Sequence, residues 1–377
     1  MKRLLLSLAL LPAVAGAAAA QGPAFRSSVA AGTHLQSFRF AEGIGARSAE
    51  LVLTPIAYQQ RLGSNGLVEL YGAFARGTVQ MDGETFTMAN LTDTWLRTSW
   101  VATPGTTITL GVNLPTGKPT HDNREAVVAT VLATDLLGFR EASWGTGLGA
   151  TLGVSSAREI GPWTASLGAS YRRSGEFNPR ADTLLHYRPG NETRGRAAFQ
   201  RKIGDDRGLS LGLMVLTYTE DRLDGRNLFQ AGTRAMADVS YSFRRGRGEW
   251  TVTVADIWRD KGDVTLPIVS QASTVTGDTT FQTGAQNLVF AAIGGSTPLT
   301  SRLVIRPGLD FRVQRGEDVG GQGWVLGLGA DVPLYAGGAV EVFPSARVLR
   351  GELQNREKEM KGIWGLETSL VVRWGRR

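Results

Sequence analysis

The chain predicts an all-β fold, a transmembrane antiparallel up-and-down β-barrel of about 14–16 strands with short periplasmic turns and long external loops. Three observations carry this prediction: one segment alternates without a slip, the connections between strand-like segments alternate in length, and the chain begins with an export signal. Between residues 302 and 314, the row Arg302, Val304, Arg306, Gly308, Asp310, Arg312 and Gln314 opposes the row Leu303, Ile305, Pro307, Leu309, Phe311 and Val313. Strand side chains point to opposite faces with period two, so one face is apolar and the other heavily charged. In a membrane barrel, lipid takes the apolar face and a wet lumen takes the arginines.

At the N-terminus, Lys2 and Arg3 precede the apolar run Leu4–Leu11 and the small residues Ala17–Ala20. This is the pattern of a secretory signal peptide over residues 1–20, cleaved near Ala20, which leaves residues 21–377 for the barrel. Its apolar core is too short to cross a bilayer, and no later segment offers the ~18 uninterrupted apolar residues of a membrane helix. The expected destination is the outer membrane of a Gram-negative cell. Outer-membrane lipid would surround the wall, and the barrel-assembly machinery is the expected inserting partner.

Composition narrows the classes further. The chain has no cysteine, which excludes disulfides and thiolate metal sites. Its 48 glycines in 377 residues exceed the usual share of about 7 %, as a turn-rich β protein would. Lys and Arg number 41 against 34 Asp and Glu, and residues 1–20 hold two of the basic ones and no acidic ones. So mild a surplus gives no argument for a nucleic-acid partner.

Alternation bounded by turn residues marks sixteen candidate strands, near 28–40, 47–61, 67–81, 91–102, 106–114, 145–155, 163–174, 193–203, 208–219, 231–244, 248–259, 284–294, 301–314, 323–333, 339–351 and 362–374. Short connections fall at 63–66, 103–105, 204–207, 245–247 and 336–338. Longer ones fall at 82–90, 115–144, 175–192, 220–230, 260–283 and 352–361. Up-and-down topology produces this alternation and places both termini on the periplasmic side. Trp100, Trp163, Trp250 and Tyr335 border short turns, while Trp144, Trp258, Trp324 and Trp364 border long loops, as two interfacial aromatic belts would; strand-ending tryptophans also occur in soluble sandwiches.

Other segments repeat the two-faced pattern. Ala235, Ala237, Val239, Tyr241 and Phe243 oppose Arg234, Asp238, Ser240, Ser242 and Arg244, and Trp364, Leu366, Leu370, Val372 and Trp374 oppose Glu367, Ser369 and Arg373. Asp256 breaks the rule by sharing a face with Trp250, Val252, Val254 and Trp258, which suits a rim position or a locally buried partner. In the long connection 115–144, Asp122 and Glu125 form a possible capping box ahead of Val127, Val128, Val131, Leu132 and Leu136, with Gly138 as a stop. These signals predict a short amphipathic helix. Such a loop, with Asp122, Glu125, Val128 and Leu132 as candidates, either folds into the mouth and narrows it or covers the outer rim.

The segment Asn90-Leu91-Thr92-Asp93-Thr94-Trp95-Leu96 opens one strand and Gly111-Val112-Asn113-Leu114-Pro115-Thr116-Gly117 closes the next. With Asp135-Leu136-Leu137-Gly138-Phe139 and Trp144-Gly145-Thr146-Gly147, they resemble motifs of the bacterial outer-membrane transporter family associated with meta-pathway phenol degradation, which is related to outer-membrane transporters of hydrophobic compounds. Asp93, Leu114, Pro115, Thr116 and Gly117 are the motif positions singled out, and the resemblance covers residues 90–150. It implies a barrel, monomeric or oligomeric, that passes small and often aromatic or apolar molecules across the outer membrane. Only Gln21–Ser27 stand between the signal peptide and the first strand, which leaves no room for the N-terminal plug of the fatty-acid transporters.

Enzyme chemistry needs a nucleophile and a base in reach, yet the three histidines, His34, His121 and His186, lie in separate regions without metal-ligand spacing. No catalytic residue, metal site or cofactor is therefore assigned, although a serine working with His121 on the barrel remains an alternative. The lumen-lining candidates are Arg234, Asp238, Arg244, Arg302, Arg306, Asp310, Arg312, Glu341, Arg347, Glu367 and Arg373. They form either an arginine ladder that raises the local concentration of anions or a network whose acids neutralise it. The function expected is passive passage of a small-molecule solute of unknown identity. The alternatives are an adhesive barrel that binds partners through its loops and a secreted soluble β protein.

Overall fold

The two-faced strands close on themselves, the first pairing with the last. The computed structural model describes residues 26–141, 144–181, 184–269, 275–300, 303–317, 321–336 and 339–376, so the signal peptide and Arg302 lie outside the described residues. In chain order the first half contains β1 (Ser27–Phe40), β2 (Ala46–Leu62), β3 (Gly66–Met81), β4 (Glu84–Leu91), β5 (Thr94–Thr103), β6 (Thr106–Leu114), the helix α1 (Asn123–Leu132), β7 (Gly149–Ile160), β8 (Trp163–Ser174), β9 (Tyr187–Arg188), β10 (Glu192–Ile203) and β11 (Arg207–Tyr218). The second half contains β12 (Asp221–Leu223), β13 (Arg226–Gln230), β14 (Arg234–Arg245), β15 (Gly248–Arg259), β16 (Asp263–Val269), β17 (Val275–Gln282), β18 (Gln286–Pro298), β19 (Val304–Gly316), β20 (Gly323–Asp331), β21 (Leu334–Ala336), β22 (Val340–Gln354) and β23 (Met360–Arg376).

Eighteen of these strands form one sheet, and β23 pairs back onto β1 from Ser27↔Arg376 to Phe40↔Ile363. Two wall strands are interrupted once each, because β4 and β5 both pair with β3 and β20 and β21 both pair with β22. The wall is therefore a closed antiparallel barrel of sixteen strands, which leaves no edge to aggregate. All sixteen expected segments are present with shifted ends.

The outer face carries the apolar half of each alternation. Leu152, Leu167, Val348 and Leu370 are exposed, as lipid-facing side chains of an isolated chain must be. On β23 the outward row runs from Trp364 to Trp374, both exposed. Ten residues at about 3.3 Å each, tilted about 40°, cover roughly 25 Å, the height of an outer-membrane apolar band. Asp256 does sit on this outer face beside Trp258, and Asn287, opposite Trp258 on β18, donates its side-chain amide to the Asp256 carboxylate. The exception has its partner.

Three connections differ from expectation. Asp82 and Gly83, with φ of 53° and 80°, make a two-residue hairpin turn of the kind that matches strand twist, so residues 84–91 continue the sheet as β4. The connection after β22 shrinks to residues 355–359, where Asn355 accepts from the Glu357 and Glu359 amides. Parts of the long loops after β8, β11 and β15 pair into a second sheet of order β17-β16-β13-β12-β9, which their polar, turn-rich sequences do not announce.

Candidate functional site

The helix forms where the capping signals place it. The Glu125 amide donates to Asp122 Oδ1 at 2.8 Å and the Asp122 amide donates to Glu125 Oε2 at 3.1 Å, satisfying two otherwise orphaned donors. It ends at Leu132, earlier than the apolar spacing suggested; the chain turns through Thr134 and reaches Gly138 at φ 64°. From there the described part of the connection folds into the barrel. Val128, Leu132, Leu136, Leu137, Phe139 and Trp144 are fully buried against Phe38, Leu51, Leu53, Ala73, Ala75, Val79 and Met88, the inward side chains of β1–β4. Gly77 is the seat: a Cβ there would stand 2.6 Å from Leu132 and 2.7 Å from Val128.

Two sequence expectations change here. Trp144 is not a belt residue, because its indole lies inside the barrel and donates to the Ala75 carbonyl at 2.9 Å. Val128 and Leu132 hold the helix on the wall and do not line a passage; the cavity is met instead by Asp135, Gly138 and Arg140. The physical reason is that an apolar helix face finds its partner in the apolar inner wall of β4, β3 and β2. Among aromatics, Phe139 also meets Phe38 edge to face, with centroids 5.2 Å apart.

The residues of the family-like motifs converge at the base of this loop. Asp93, in the interruption between β4 and β5, accepts from Gly117 N at 3.1 Å, Thr146 N at 2.6 Å and Asn113 Nδ2 at 2.8 Å. Asn113 in turn donates to the Gly147 carbonyl at 2.8 Å, and the Thr116 hydroxyl to the Thr92 carbonyl at 3.0 Å. One carboxylate thus ties both ends of the inserted loop to the wall. Gly117 has no room for a side chain, since a Cβ would lie 1.8 Å from the Trp144 carbonyl. Leu114 ends β6 with its side chain outward, and Pro115 follows where the strand stops.

Below the loop lies a cavity of about 890 Å³, reaching from Gly138 and Arg140 to the periplasmic turn at Asp205 and Asp206. Arg234, Arg244, Arg306, Asp310, Arg312, Glu341, Arg347, Glu367 and Arg373 line it; Asp238 shares their inward face on β14 but lies outside it. Asp310 pairs with Arg312 at 3.3 Å and Arg347 at 2.7 Å, Glu341 with Arg373 at 3.9 Å, and Glu249 with Arg244 at 2.9 Å. Nine arginines face eight carboxylates along the cavity, which favours a neutralised network over an uninterrupted ladder. Arg312 also holds the inserted loop, donating to the Leu137 carbonyl at 3.1 Å and more weakly to that of Leu136.

Sequence reasoning missed Arg140, His34, Gln36 and Asp331. Gln36 receives the Arg140 amide at 2.7 Å and donates to Glu367 at 2.9 Å, so it joins loop to wall. Its position on the inward row of β1, with His34 and Phe38, was the available signal; Arg140 had none. His121 lies in the loop, backbone-bonded to Pro179 and Ala181, with Glu125 the carboxylate nearest its ring at 4.0 Å. Among the described residues, no group of three or more His, Cys, Asp and Glu is placed to hold a metal ion, and no helix is long and apolar enough to cross a membrane.

No family model and no curated protein matches the chain. Solved structures do. A deletion mutant of the monoaromatic hydrocarbon channel TodX matches with a TM-score of 0.52 at 11 % identity over 94 % of this chain and 91 % of that one. CdiB from Acinetobacter baumannii matches with a TM-score of 0.50 at 11 % identity over 91 % of this chain and 60 % of that one. At such identity the likeness is one of fold, and the fold is that of an outer-membrane β-barrel.

Proposed function

We propose that the chain is an outer-membrane channel for passive passage of small molecules, with the inserted loop 115–148 as its constriction. The supporting observation is the charged, solvent-sized cavity of about 890 Å³ directly beneath a loop tied at both ends. Diffusion down the lumen needs only a wet path and a gate. The name of the TodX channel points to monoaromatic hydrocarbons as its solutes; small aromatic molecules are proposed for this chain by that likeness and by the resemblance of residues 90–150. Export through residues 1–20, insertion by the barrel-assembly machinery and the absence of an enzymatic role belong to the same proposal.

The test is uptake in a porin-deficient host, comparing aromatic, fatty and anionic solutes, together with planar-bilayer recordings of refolded protein. Conductance and solute-dependent uptake are expected. No conductance, joined to no uptake defect on deletion, would remove the proposal. A second reading, binding of a partner by the external loops, draws on the sheet β17-β16-β13-β12-β9. Deleting those loops selects it when permeation survives and a binding phenotype is lost.

A further inference from the structure

The cavity is not uniformly paired, and its least satisfied cation lies toward the periplasmic end, three residues into β19. Arg306, on β19, has its Nε buried with no hydrogen-bond partner among the described residues. It sits where the β18–β19 ladder is irregular: pairing holds at Gly294↔Gly308 and resumes at Thr297↔Ile305, leaving Arg306 unmatched on β18. Two residues along, Gly308 forms an open floor, since the nearest side-chain atom to a Cβ there is Arg347 Nη2 at 3.8 Å. Gly294 opposite is as open, with only the Pro307 carbonyl at 3.7 Å. Two guanidinium groups, from Arg306 and Arg347, thus flank a glycine floor.

The charges of the cavity leave a vacancy of one. Arg140, Arg306, Arg312 and Arg347 share this part of the cavity with Asp310, Asp331 and Glu367. Asp310 is engaged by Arg312 and Arg347, and Glu367 takes the Gln36 amide. Asp331, opposite Arg306 on β20, lies within the fields of Arg347, Arg306 and Arg140 together. Along the cavity as a whole nine arginines face eight carboxylates, one positive charge in excess, and guanidinium is the group that best takes a carboxylate. Phe290 and Phe343 also point into the cavity and give an apolar body somewhere to rest.

We propose that the lumen holds a binding site for a small aromatic monocarboxylate, whose carboxylate bridges Arg306 and Arg347 over Gly308 while its ring lies against Phe290 or Phe343. The inference rests on the lumen being the solute path and names the class of solute the path selects. One monovalent anion would complete neutrality without displacing Asp310 from its two arginines. A divalent anion would overshoot it, and a neutral arene would leave Arg306 Nε without a partner.

The test uses the full-length mature chain refolded in detergent and titrated calorimetrically with benzoate. One-to-one saturable binding with a dissociation constant in the millimolar range or tighter is expected. Arg306→Gln should weaken it roughly tenfold, with heat-modifiable gel mobility showing that the barrel is intact. Arg306→Lys, which restores the charge, should recover part of that loss. Acetate should bind roughly tenfold more weakly than benzoate, and benzyl alcohol should give no saturable heat. Absence of saturable benzoate binding, equal affinity in Arg306→Gln, or equal affinity for acetate each overturns the proposal. The readout does not depend on conduction, so a protein that conducts and ignores benzoate sinks this inference alone, whereas one that binds benzoate and fails to conduct sinks the channel reading alone.

Discussion

Strands β1–β4 point Phe38, Leu51, Leu53, Ala75, Val79 and Met88 into the barrel, whereas β19–β23 point Arg306, Asp310, Arg312, Arg347 and Arg373 into the same space. The outer rows of both regions meet lipid in the same way, so the difference lies wholly in what the inner rows require. A charged inner row can be hydrated and cross-paired. An apolar inner row must be covered, and the loop 115–148 supplies the cover. Leu132, Leu136, Leu137, Phe139 and Trp144 lie fully buried on it, each contributing about 1.5–3 kcal/mol relative to exposure, against the conformational entropy of ordering the loop. One half of the wall therefore anchors the loop and the other half lines the cavity.

Removing the cover is the severest way to break this division. Replacing residues 123–140 with a short Gly-Ser linker should raise single-channel conductance several-fold in planar bilayers; unchanged conductance would show that the loop does not limit the path. Gly77→Leu should act in the same direction by a smaller step, because its side chain would collide with Leu132, Val128 and Trp144. Overpacking of this kind costs about 1–3 kcal/mol, enough to lift the loop part of the time, seen as added open-state noise.

The tie at the loop base comes next. Asp93→Ala removes a carboxylate that accepts from Gly117, Thr146 and Asn113 and strands their donors. Hydrogen bonds to a charged acceptor are worth about 1.5–3 kcal/mol each and are not additive here, so a loss of about 3 kcal/mol in loop docking is expected. Limited proteolysis within 115–148 should accelerate by about two orders of magnitude while the barrel core stays intact. Asp93→Asn, which keeps one acceptor oxygen and sets an NH2 donor against the donors at the other, should fall between the two.

On the other side of the division, Arg312 is the one inward cation shown gripping the carbonyls of Leu136 and Leu137. Arg312→Met keeps bulk, frees those carbonyls and leaves Asp310 to Arg347 alone. A loss of about 2 kcal/mol in loop docking is expected, read by hydrogen exchange at residues 134–140. If exchange there does not change, the charged half is not helping to hold the gate.

How much of this was legible depends on which side of the wall a residue faces. The outward row of β23, from Trp364 to Trp374, was readable because lipid accepts only apolar side chains and the period of two does the rest. The lumen candidates on β14, β19, β22 and β23 were readable for the same reason, since charges alternating with that row have only one place to go. The strands β2 and β3 carried a signal that pattern reading passed over. Inward, Ala49, Leu51 and Leu53 on β2 and Ala73, Ala75 and Val79 on β3 are all apolar, while the outward rows mix Val52, Ile56 and Phe74 with Glu50, Thr54, Arg76 and Thr78. In a single-walled barrel, an apolar inner row implies an internal cover, and the amphipathic segment 123–140 was the available one. The Asp93 tie was legible only as motif residues, because its partners at Gly117 and Thr146 are brought to it by a loop path that no periodicity encodes. Asp135 and Arg140 were equally silent: their place in the cavity is fixed by where α1 docks.

The smallest effect concerns the outer end of the loop, where His121 is backbone-paired to the neighbouring loop through Pro179 and Ala181. Burial pushes its imidazole below the ordinary value of 6.5, with Lys118 adding to the shift and Glu125 and Asp122 opposing it; Arg180 faces it from the adjoining strand-like segment. A base whose pKa is lowered on docking takes up its proton more readily when undocked, so docking loses stability as pH falls from about 6.5 toward the lowered value and is unaffected above it. Between pH 8 and pH 5, protease sensitivity of residues 115–148 should therefore rise modestly in the wild type and stay flat in His121→Gln, whose side chain cannot titrate. An equal rise in both would assign the pH response to the carboxylates of the lumen. That would place the acid sensitivity of the gate in the charged half of the wall instead of at the loop's outer edge.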